Sequence, residues 1–314
     1  MATAENAKLQ YEAGQNAVAM TALTASSDRT VFSSTASLWS RRTGYAPVVR
    51  PNGVLTGGAV SAAVANDTVS VAALTCNLNG VVTTVGAGTD AITRPATNVA
   101  KVNSVVITAA GVIDVVAGTD SATTAFSETR GAAGGPPLIA VDAIEIAQVR
   151  VTSSTAAPLA ESEIYQVVGL HRERADFPLS TVNYDEGTVS FVDALPAIHT
   201  GPAPKRVYAS FASPIFADIP LASDFVPPET SNSVSSTQVY GTTLGSTSST
   251  LNQGSFVAYL DDGVSDALVG LKGEYLWFRF YPDRYKSPYL LTQGKLGISR
   301  TFPAGDNIQA ACTI

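Results

Sequence analysis

Residues 273–314 decide the fold of this chain, and they read GEYLWFRFYPDRYKSPYLLTQGKLGISRTFPAGDNIQAACTI. Successive side chains of a β-strand point to opposite faces, so each strand-like segment of this stretch divides into two faces. The first segment sets Leu276, Phe278 and Phe280 against Tyr275, Trp277 and Arg279. The last segment sets Ile308, Ala310, Cys312 and Ile314 against Asn307, Gln309, Ala311 and Thr313. The pattern predicts a sheet with one packed face and one polar, largely uncharged face that meets water or a partner.

The charge content of the chain is low for a soluble protein. Of its 314 residues, 14% are charged and 45% are hydrophobic, and the net charge is -7. Soluble domains usually contain about 25% charged residues, so much of this surface is expected to consist of small and uncharged polar side chains. Such a surface favours packing between subunits, because few charges must be desolvated. The net negative charge disfavours electrostatic binding to nucleic acid or to an anionic membrane.

No motif in the sequence predicts an enzyme, a metal site or a cofactor. His171 and His199 have no neighbour at the spacing of metal ligands, and Cys76 and Cys312 form no metal-binding spacing either. Residues 261–263, Asp-Asp-Gly, are typical of a turn. The N-terminal residues lack the apolar core of a signal peptide, and no run approaches the roughly 18 apolar residues of a membrane span. We therefore expect synthesis in the cytoplasm and no membrane anchor.

Short strand-like segments separated by turn residues fill the region from Val54 to Arg130. They are residues 69–71, 74–78, 81–85, 105–108 and 112–116, with turns at Asn79-Gly80, 86–88, Ala110-Gly111 and 118–120. This spacing is typical of a β-sandwich or a barrel-like module. A later strand, residues 143–152, changes the parity of its alternation near Ala147, which indicates a β-bulge.

These patterns predict a mainly β protein in three parts. Residues 1–53 form an N-terminal arm and the first strands. Residues 54–130 form a β-rich extra module, which in an alternative division extends to about residue 200. The Gly- and Pro-rich stretch at 131–137 marks the boundary, and residues 131–314 form the last domain, with a long Ser/Thr-rich hairpin loop at about 229–254.

The C-terminal segments resemble a known family. The stretches LTQGKLGISR (291–300) and GDNIQAACTI (305–314), the segment FVPPET (225–230) and the Ser/Thr-rich loop after it resemble the final strands and the long inter-ring hairpin of long-tailed bacteriophage major tail tube proteins. The resemblance covers roughly the last ninety residues, and the arm LWSRR (38–42) more loosely. It implies a tail-tube-type β-sandwich or barrel subunit with long loops. Simpler members of the family are shorter than this chain, so residues 54–130 are extra β-structure on that comparison.

The resemblance also implies a function. Tail tube subunits form hexameric rings whose inward-facing sheets close into one continuous β-barrel, and the rings stack into a hollow tube. The expected partners are other copies of this chain and the tape-measure, tail terminator and baseplate proteins. DNA passes through the lumen without sequence-specific binding. The protein would be assembled in the host cytoplasm and reside in the virion tail.

Two other classes of function stay open at this point. One is another structural component of the virion, such as a capsid decoration protein, a baseplate piece or a receptor-binding β module. The other is a soluble enzyme or a carbohydrate-binding β-sandwich, which the absence of a catalytic constellation disfavours.

Candidate contact residues follow from the value of large, rigid side chains at interfaces. Candidates for contacts between subunits are Trp39, Arg41, Arg42, Val239, Tyr240, Leu244, Tyr275, Trp277, Arg279 and Ile314. The segment around Trp39 reads equally well as an amphipathic strand whose Trp lies in the core. Candidates for the lumen are Asn307, Gln309 and Thr313, which form the uncharged face of the last strand.

Overall fold

The computed structural model of the chain describes residues 6–11, 15–201, 204–219, 221–240 and 242–314. Strands make up 43% of the structure and helices 2%, and the sheets are antiparallel. The predicted mainly β class is therefore confirmed. Among the described residues, the helical elements are a 3-10 turn at Glu161–Glu163 and helix α1 (Ala267–Gly270).

Many of the strands are joined by short connections, and the longest connection, residues 118–143, joins β13 to β14. In chain order they are β1 (Ala7–Gln10), β2 (Thr21–Ala22), β3 (Thr24–Ala25), β4 (Val31–Ser33), β5 (Val48–Pro51), β6 (Gly53–Gly57), β7 (Val60–Ala62), β8 (Thr68–Val71), β9 (Leu74–Leu78), β10 (Val81–Val85), β11 (Gly88–Ala91), β12 (Lys101–Ile107), β13 (Ile113–Ala117), β14 (Ile144–Val151), β15 (Ile164–Tyr165), β16 (Ser180–Asn183), β17 (Thr188–Phe191), β18 (Val207–Ser210), β19 (Phe216–Asp218), β20 (Ser223–Val226), β21 (Thr230–Val239), β22 (Thr242–Leu251), β23 (Ser255–Leu260), β24 (Tyr275–Phe280), β25 (Leu290–Lys295), β26 (Gly297–Thr301) and β27 (Ile308–Thr313).

Turn chemistry explains why the short strands form where the sequence predicts them. Strand β9 pairs with β10 from Leu78 opposite Val81, so Asn79 and Gly80 form a two-residue hairpin loop. Both have positive φ, 51° and 76°. Two positive φ angles are the requirement of the hairpin turn that matches the twist of the flanking strands, and Asn-Gly meets it at low cost.

The chain forms two compact units. Unit 1 comprises Met1–Ala17, Trp39–Ala46 and Ala212–Ile314, and unit 2 comprises Val18–Leu38 and Pro47–Phe211. Residues 131–211 thus lie in unit 2. One division predicted from the sequence groups them with the C-terminal strands, whereas the alternative division, with a module that extends to about residue 200, groups most of them with residues 54–130. The physical reason is strand pairing, because β14 is hydrogen-bonded along its whole length to β12 and shares its core.

Unit 2 is built around strand β12, all of whose residues are buried. Its five sheets run in the strand orders β10-β9-β6, β11-β8-β7, β13-β12-β14-β15, β16-β17-β4-β3 and β2-β18-β5. The pairing of β12 with β14 shifts register between Val105 and Val106, opposite Ala147 and Glu145. This irregularity confirms the bulge predicted from the change in alternation.

Unit 1 contains two four-stranded sheets and a separate hairpin. We call β19-β1-β24-β25 the aromatic sheet and β20-β23-β27-β26 the C-terminal sheet; β21 and β22 pair with each other alone. Both sheets contribute to one core, and Phe278 of the aromatic sheet lies 6.0 Å from Phe256 of the C-terminal sheet between ring centroids. Unit 1 is therefore a β-sandwich.

Candidate assembly surface

The outer face of the C-terminal sheet is uncharged across its three longest strands. The core side of β27 buries Ala310 and Cys312, so its alternate residues point outward. Their register partners on β23 and β26 point outward with them, and together these residues are Ser255, Val257, Tyr259, Gln309, Ala311, Thr313, Gly297, Ser299 and Thr301. Each is half-buried or exposed. The division of the last strand into a packed and a polar face therefore agrees with the sequence, and the uncharged face extends well beyond that strand.

One continuous segment forms a free edge on both sheets. Strand β25 ends the aromatic sheet and β26 ends the C-terminal sheet, and the two are joined by the single residue Leu296. Leu296 is buried in the sandwich core, and its N–H donates to the carbonyl oxygen of Glu274 over 2.9 Å. Among the described residues, no strand pairs with the outer side of residues 290–301. Such an edge carries unpaired N–H and C=O groups and is a template for pairing with another chain.

The hairpin β21–β22 pairs with no other strand among the described residues. Its two ten-residue strands pair in unbroken register from Thr230 opposite Leu251 to Val239 opposite Thr242. At roughly 3.3 Å per residue, each strand is about 33 Å long. Tyr240 at the tip is fully exposed, and the described side chains along both strands are exposed. The side chains of Val239 and Leu244, two predicted contact residues, lie outside the described part of the structure.

The two predicted Trp residues lie inside unit 1 and not on its surface. Trp39 is 0% exposed and Trp277 is 4% exposed, and the indole Nε1 of Trp277 donates to the main-chain oxygen of Trp39 over 2.9 Å. Gln10, fully buried, donates to the Ser40 hydroxyl over 2.6 Å. The segment after residue 38 thus covers the outer face of the aromatic sheet. Trp39 is therefore a core residue, as the alternative interpretation of its segment predicts. Neither indole is exposed enough to contact a second protein.

The predicted arginines do reach the surface, where each lies against an aromatic ring. Arg41 lies 4.9 Å from the ring centroid of Tyr275, which is 44% exposed. Arg279 lies between Phe216 and Tyr289, at 4.0 Å and 4.4 Å. Stacking on an aromatic ring holds a guanidinium in a fixed orientation. These side chains are therefore ordered before any partner arrives.

Arg42 and Ile314 complete the predicted contact residues. Arg42 lies 5.7 Å from the ring centroid of Tyr45. The N–H of Ile314 donates to the Gly254 oxygen over 2.8 Å, and the Gly254 N–H donates back over 3.2 Å. The Ile314 side chain packs beside Gly294, where an added Cβ would meet its Cγ2 at 2.5 Å. Ile314 is thus held in unit 1 next to the edge strand β25.

The candidate assembly surface lies wholly within unit 1. No family model, no curated protein and no solved structure matched the chain.

No three His, Cys, Asp or Glu side chains converge as metal ligands within the described ranges. His199 is buried, and its Nε2 lies 3.0 Å from the Ala143 oxygen. Asp262 accepts from the N–H groups of Val264 and Ser265 over 2.7 Å each, which closes the predicted turn. Across the part of the chain that the structure describes, no helix is long and apolar enough to cross a membrane.

Proposed function

We propose that this chain is a major tail tube subunit of a long-tailed bacteriophage, which forms stacked, hexameric rings around a hollow conduit for DNA. Its partners in this proposal are further copies of itself and the tape-measure, tail terminator and baseplate proteins. The resemblance of the C-terminal segments supports the family, and the surface of unit 1 supports assembly.

The observation that carries the proposal is the isolated hairpin β21–β22. A two-stranded hairpin without a third strand or a covering helix is marginally stable in water. This one has ten residues in each strand, pairs with no other strand among the described residues, and is rich in Ser and Thr. Polar strands of this length are stabilised when another protein surface packs on them. In the proposed tube, that surface belongs to a subunit of the neighbouring ring.

The free edge and the uncharged face fit the same assembly. Pairing of the edge at residues 290–301 with a neighbouring subunit would join sheets around a ring and remove the unpaired backbone groups. The outer face of the C-terminal sheet would then line the lumen. With no positive charge on that face, and a net charge of -7 on the chain, DNA phosphates would find no cations to bind and would pass freely.

Electron microscopy of the purified full-length chain tests the proposal. We expect rings or open-ended tubes, because heterologous contacts that do not close generate filaments. A preparation that stays monomeric or forms closed trimers, with no filament at any concentration, contradicts the tube.

A hairpin deletion tests the observation itself. The N–H of Asn252 donates to the Glu229 oxygen over 2.9 Å, so an Asn-Gly turn can replace residues 230–251 with the ladder closed at that pair. The shortened chain should fold, because the sandwich core is untouched, yet form no stacked tubes. The control is Val64→Ala, a fully exposed residue of unit 2 outside the candidate assembly surface, which should leave tubes intact. Tubes of normal length from the shortened chain would show that the hairpin is not an assembly element.

A further inference from the structure

Unit 2 contains a cavity that the proposed assembly does not use. Its volume is about 200 Å³. The floor includes Glu173 and Lys205, which are 6% and 2% exposed. The mouth includes Leu170, Phe177 and Asp193, all exposed. A charged floor below a partly apolar mouth is an arrangement that binds a ligand with polar groups on one side and apolar surface on another.

The floor presents a carboxylate oxygen without a partner. Glu173 Oε2 accepts from the N–H of Glu145 over 2.8 Å, whereas Oε1 is buried and accepts no hydrogen bond from the described residues. The main chain of Glu173 is fixed on both sides, since its N–H donates to the Glu145 oxygen over 2.8 Å and its oxygen accepts from Val54 over 3.0 Å. A buried polar atom left unpaired is costly. A donor that entered the cavity and reached Oε1 would satisfy this oxygen.

Lys205 supplies the opposite hydrogen-bonding character. Its Nζ donates to the main-chain oxygen of Arg174 over 2.7 Å. An ammonium group has three N–H donors, so this bond leaves donors for a ligand. Burial raises the pKa of Glu173 and lowers the pKa of Lys205, and the charge of each opposes the shift of the other. The floor thus pairs an acceptor with donors at one end of the cavity.

The charges around the cavity balance, which favours a neutral ligand over an ion. The charged lining residues are Glu145, Glu173 and Asp193 against Arg172, Arg174 and Lys205. An ion of either sign would meet as many repulsive as attractive groups. Hydroxyl groups suit both Glu173 and Lys205, because a hydroxyl can donate a hydrogen bond to a carboxylate and accept one from an ammonium group.

The mouth adds an aromatic ring held in place by the main chain. Phe177 is 47% exposed. An added Cβ at Gly169 would meet the Phe177 ring at 2.5 Å, so the main chain at Gly169 lies directly against that ring. Gly169 has φ +82°, a conformation that glycine adopts without strain. The exposed remainder of the ring offers an apolar surface for C–H groups.

We propose that this cavity binds a single ring of a neutral sugar. Adjacent hydroxyls would donate to Glu173 Oε1 and accept from Lys205, while the C–H face of the ring packs on Phe177. The volume suits one ring, since drug-sized ligands need pockets of about 300–1,000 Å³. At about 30 Å³ per water, a volume of about 200 Å³ corresponds to about seven waters. All of these residues lie in unit 2, so the proposal does not depend on the tail tube function.

Saturation-transfer NMR on the full-length chain tests this site and works equally on monomers and tubes. The probes are the methyl glycosides of glucose, galactose, mannose and N-acetylglucosamine, with a soluble polysaccharide of any sugar that binds. We expect at least one glycoside to bind with a dissociation constant of about 1 mM, as a small site with few contacts gives. Equal binding of the polysaccharide would identify a chain-internal sugar as the ligand, and binding of the glycoside alone would identify a free or terminal sugar.

Variants separate this site from non-specific binding. Phe177→Ala and Glu173→Gln should each weaken binding by at least about fivefold, because they remove the packing surface and the acceptor. The control is Leu179→Ala, an exposed apolar residue of the same segment that does not line the cavity; it should leave binding unchanged. If Glu173→Gln fails to fold, Phe177→Ala decides, because its ring is half exposed. The proposal is overturned if no glycoside gives a saturable signal, or if Phe177→Ala binds like the parent chain.

Discussion

The indole Nε1 of Trp277 donates a hydrogen bond of 2.9 Å to the main-chain carbonyl oxygen of Trp39, 238 positions away in the sequence. Both side chains are buried. The bond fixes the segment 39–46 on the aromatic sheet, so this short piece of chain belongs to unit 1 although the residues on either side of it belong to unit 2.

Trp277→Phe should destabilise unit 1 by about 2 kcal/mol, because it leaves the buried Trp39 oxygen without its donor and leaves space beside the smaller ring. Urea denaturation followed by circular dichroism measures the change. Tyr275→Phe is the matched control on the same strand, where the ring is 44% exposed, and its effect should stay within about 0.5 kcal/mol. Equal effects of the two substitutions would show that the indole bond contributes nothing to stability.

The two cysteines should resist thiol reagents in the folded protein. Cys76 and Cys312 are 0% and 1% exposed, and burial raises the pKa of the Cys312 thiol to about 12. The thiolate is the reactive form, so neither should react with iodoacetamide at neutral pH, while both react in denaturant. Mass spectrometry counts the modified thiols. Rapid modification of Cys312 under native conditions would contradict its placement in the sandwich core.

His199 should titrate below its ordinary value of 6.5, because burial lowers its pKa. The Ala143 oxygen accepts from Nε2, so the added proton would go to Nδ1, which is buried and makes no hydrogen bond to the described residues. A depressed folded pKa means that the unfolded chain binds more protons as the pH falls below 6.5. Unit 2 should then lose stability towards acid, by on the order of 1 kcal/mol per pKa unit of difference.

NMR titration of the His199 ring carbons measures this pKa directly. The matched variant is His199→Gln, which keeps a donor for Ala143 and should reduce the loss of stability in acid. Burial also lowers the pKa of His171. In the His199→Gln variant, His171 would still contribute its own part of the loss of stability in acid. A midpoint for His199 at or above 6.5 would rule out the buried neutral imidazole.

A bulky extension after Ile314 should impair tube formation without unfolding unit 1. Ile314 is paired with Gly254 and lies beside the free edge strand β25, so added chain would occupy the space where a neighbouring sheet would pair in the proposed tube. Electron microscopy and thermal melting give the two readouts. The same extension inserted after Gly305, in an exposed turn, is the control and should be tolerated. Normal tubes from the C-terminal extension would argue against an interface at this corner.

Gln309→Lys should make assembled tubes retain DNA. Gln309 lies on the uncharged outer face of the C-terminal sheet, and one new cation per subunit would bind phosphates by counterion release, with strong dependence on salt. Co-sedimentation of short labelled duplexes with tubes at low and high salt measures retention. Val64→Lys, at a fully exposed position of unit 2, serves as the control. If both variants retain DNA equally, this face does not line the lumen.

Local chemistry predicted the strands well and their long-range arrangement poorly. The turn at Asn79-Gly80 and the bulge near Ala147 depend on neighbouring residues, so the sequence shows them directly. The pairing of Lys8 with Asp218, which includes an ion pair of 2.6 Å, joins residues 210 positions apart. No local pattern encodes such a partner, and this is why the extent of the two units differs from the predicted three-part division.

The features of the candidate surfaces also fall into those that local sequence patterns predict and those that depend on long-range contacts. Alternation along the last strand predicted the uncharged face that carries Gln309, because period-two patterns survive folding. The pattern around Trp39 fitted both a core and a surface position, and only the contact with Trp277 decides between them. The cavity in unit 2 had no signal in the sequence, since Glu173 and Lys205 belong to no motif and meet only through the fold.

The buried tryptophan pair gives this protein a built-in optical probe. The sequence contains two tryptophans, and both belong to unit 1. Fluorescence excited at wavelengths that indole absorbs and tyrosine does not therefore comes from unit 1 alone. Unit 2 contains no tryptophan and gives no signal. Fluorescence spectroscopy can therefore follow the unfolding of unit 1 in the intact protein, with no label and no mutation.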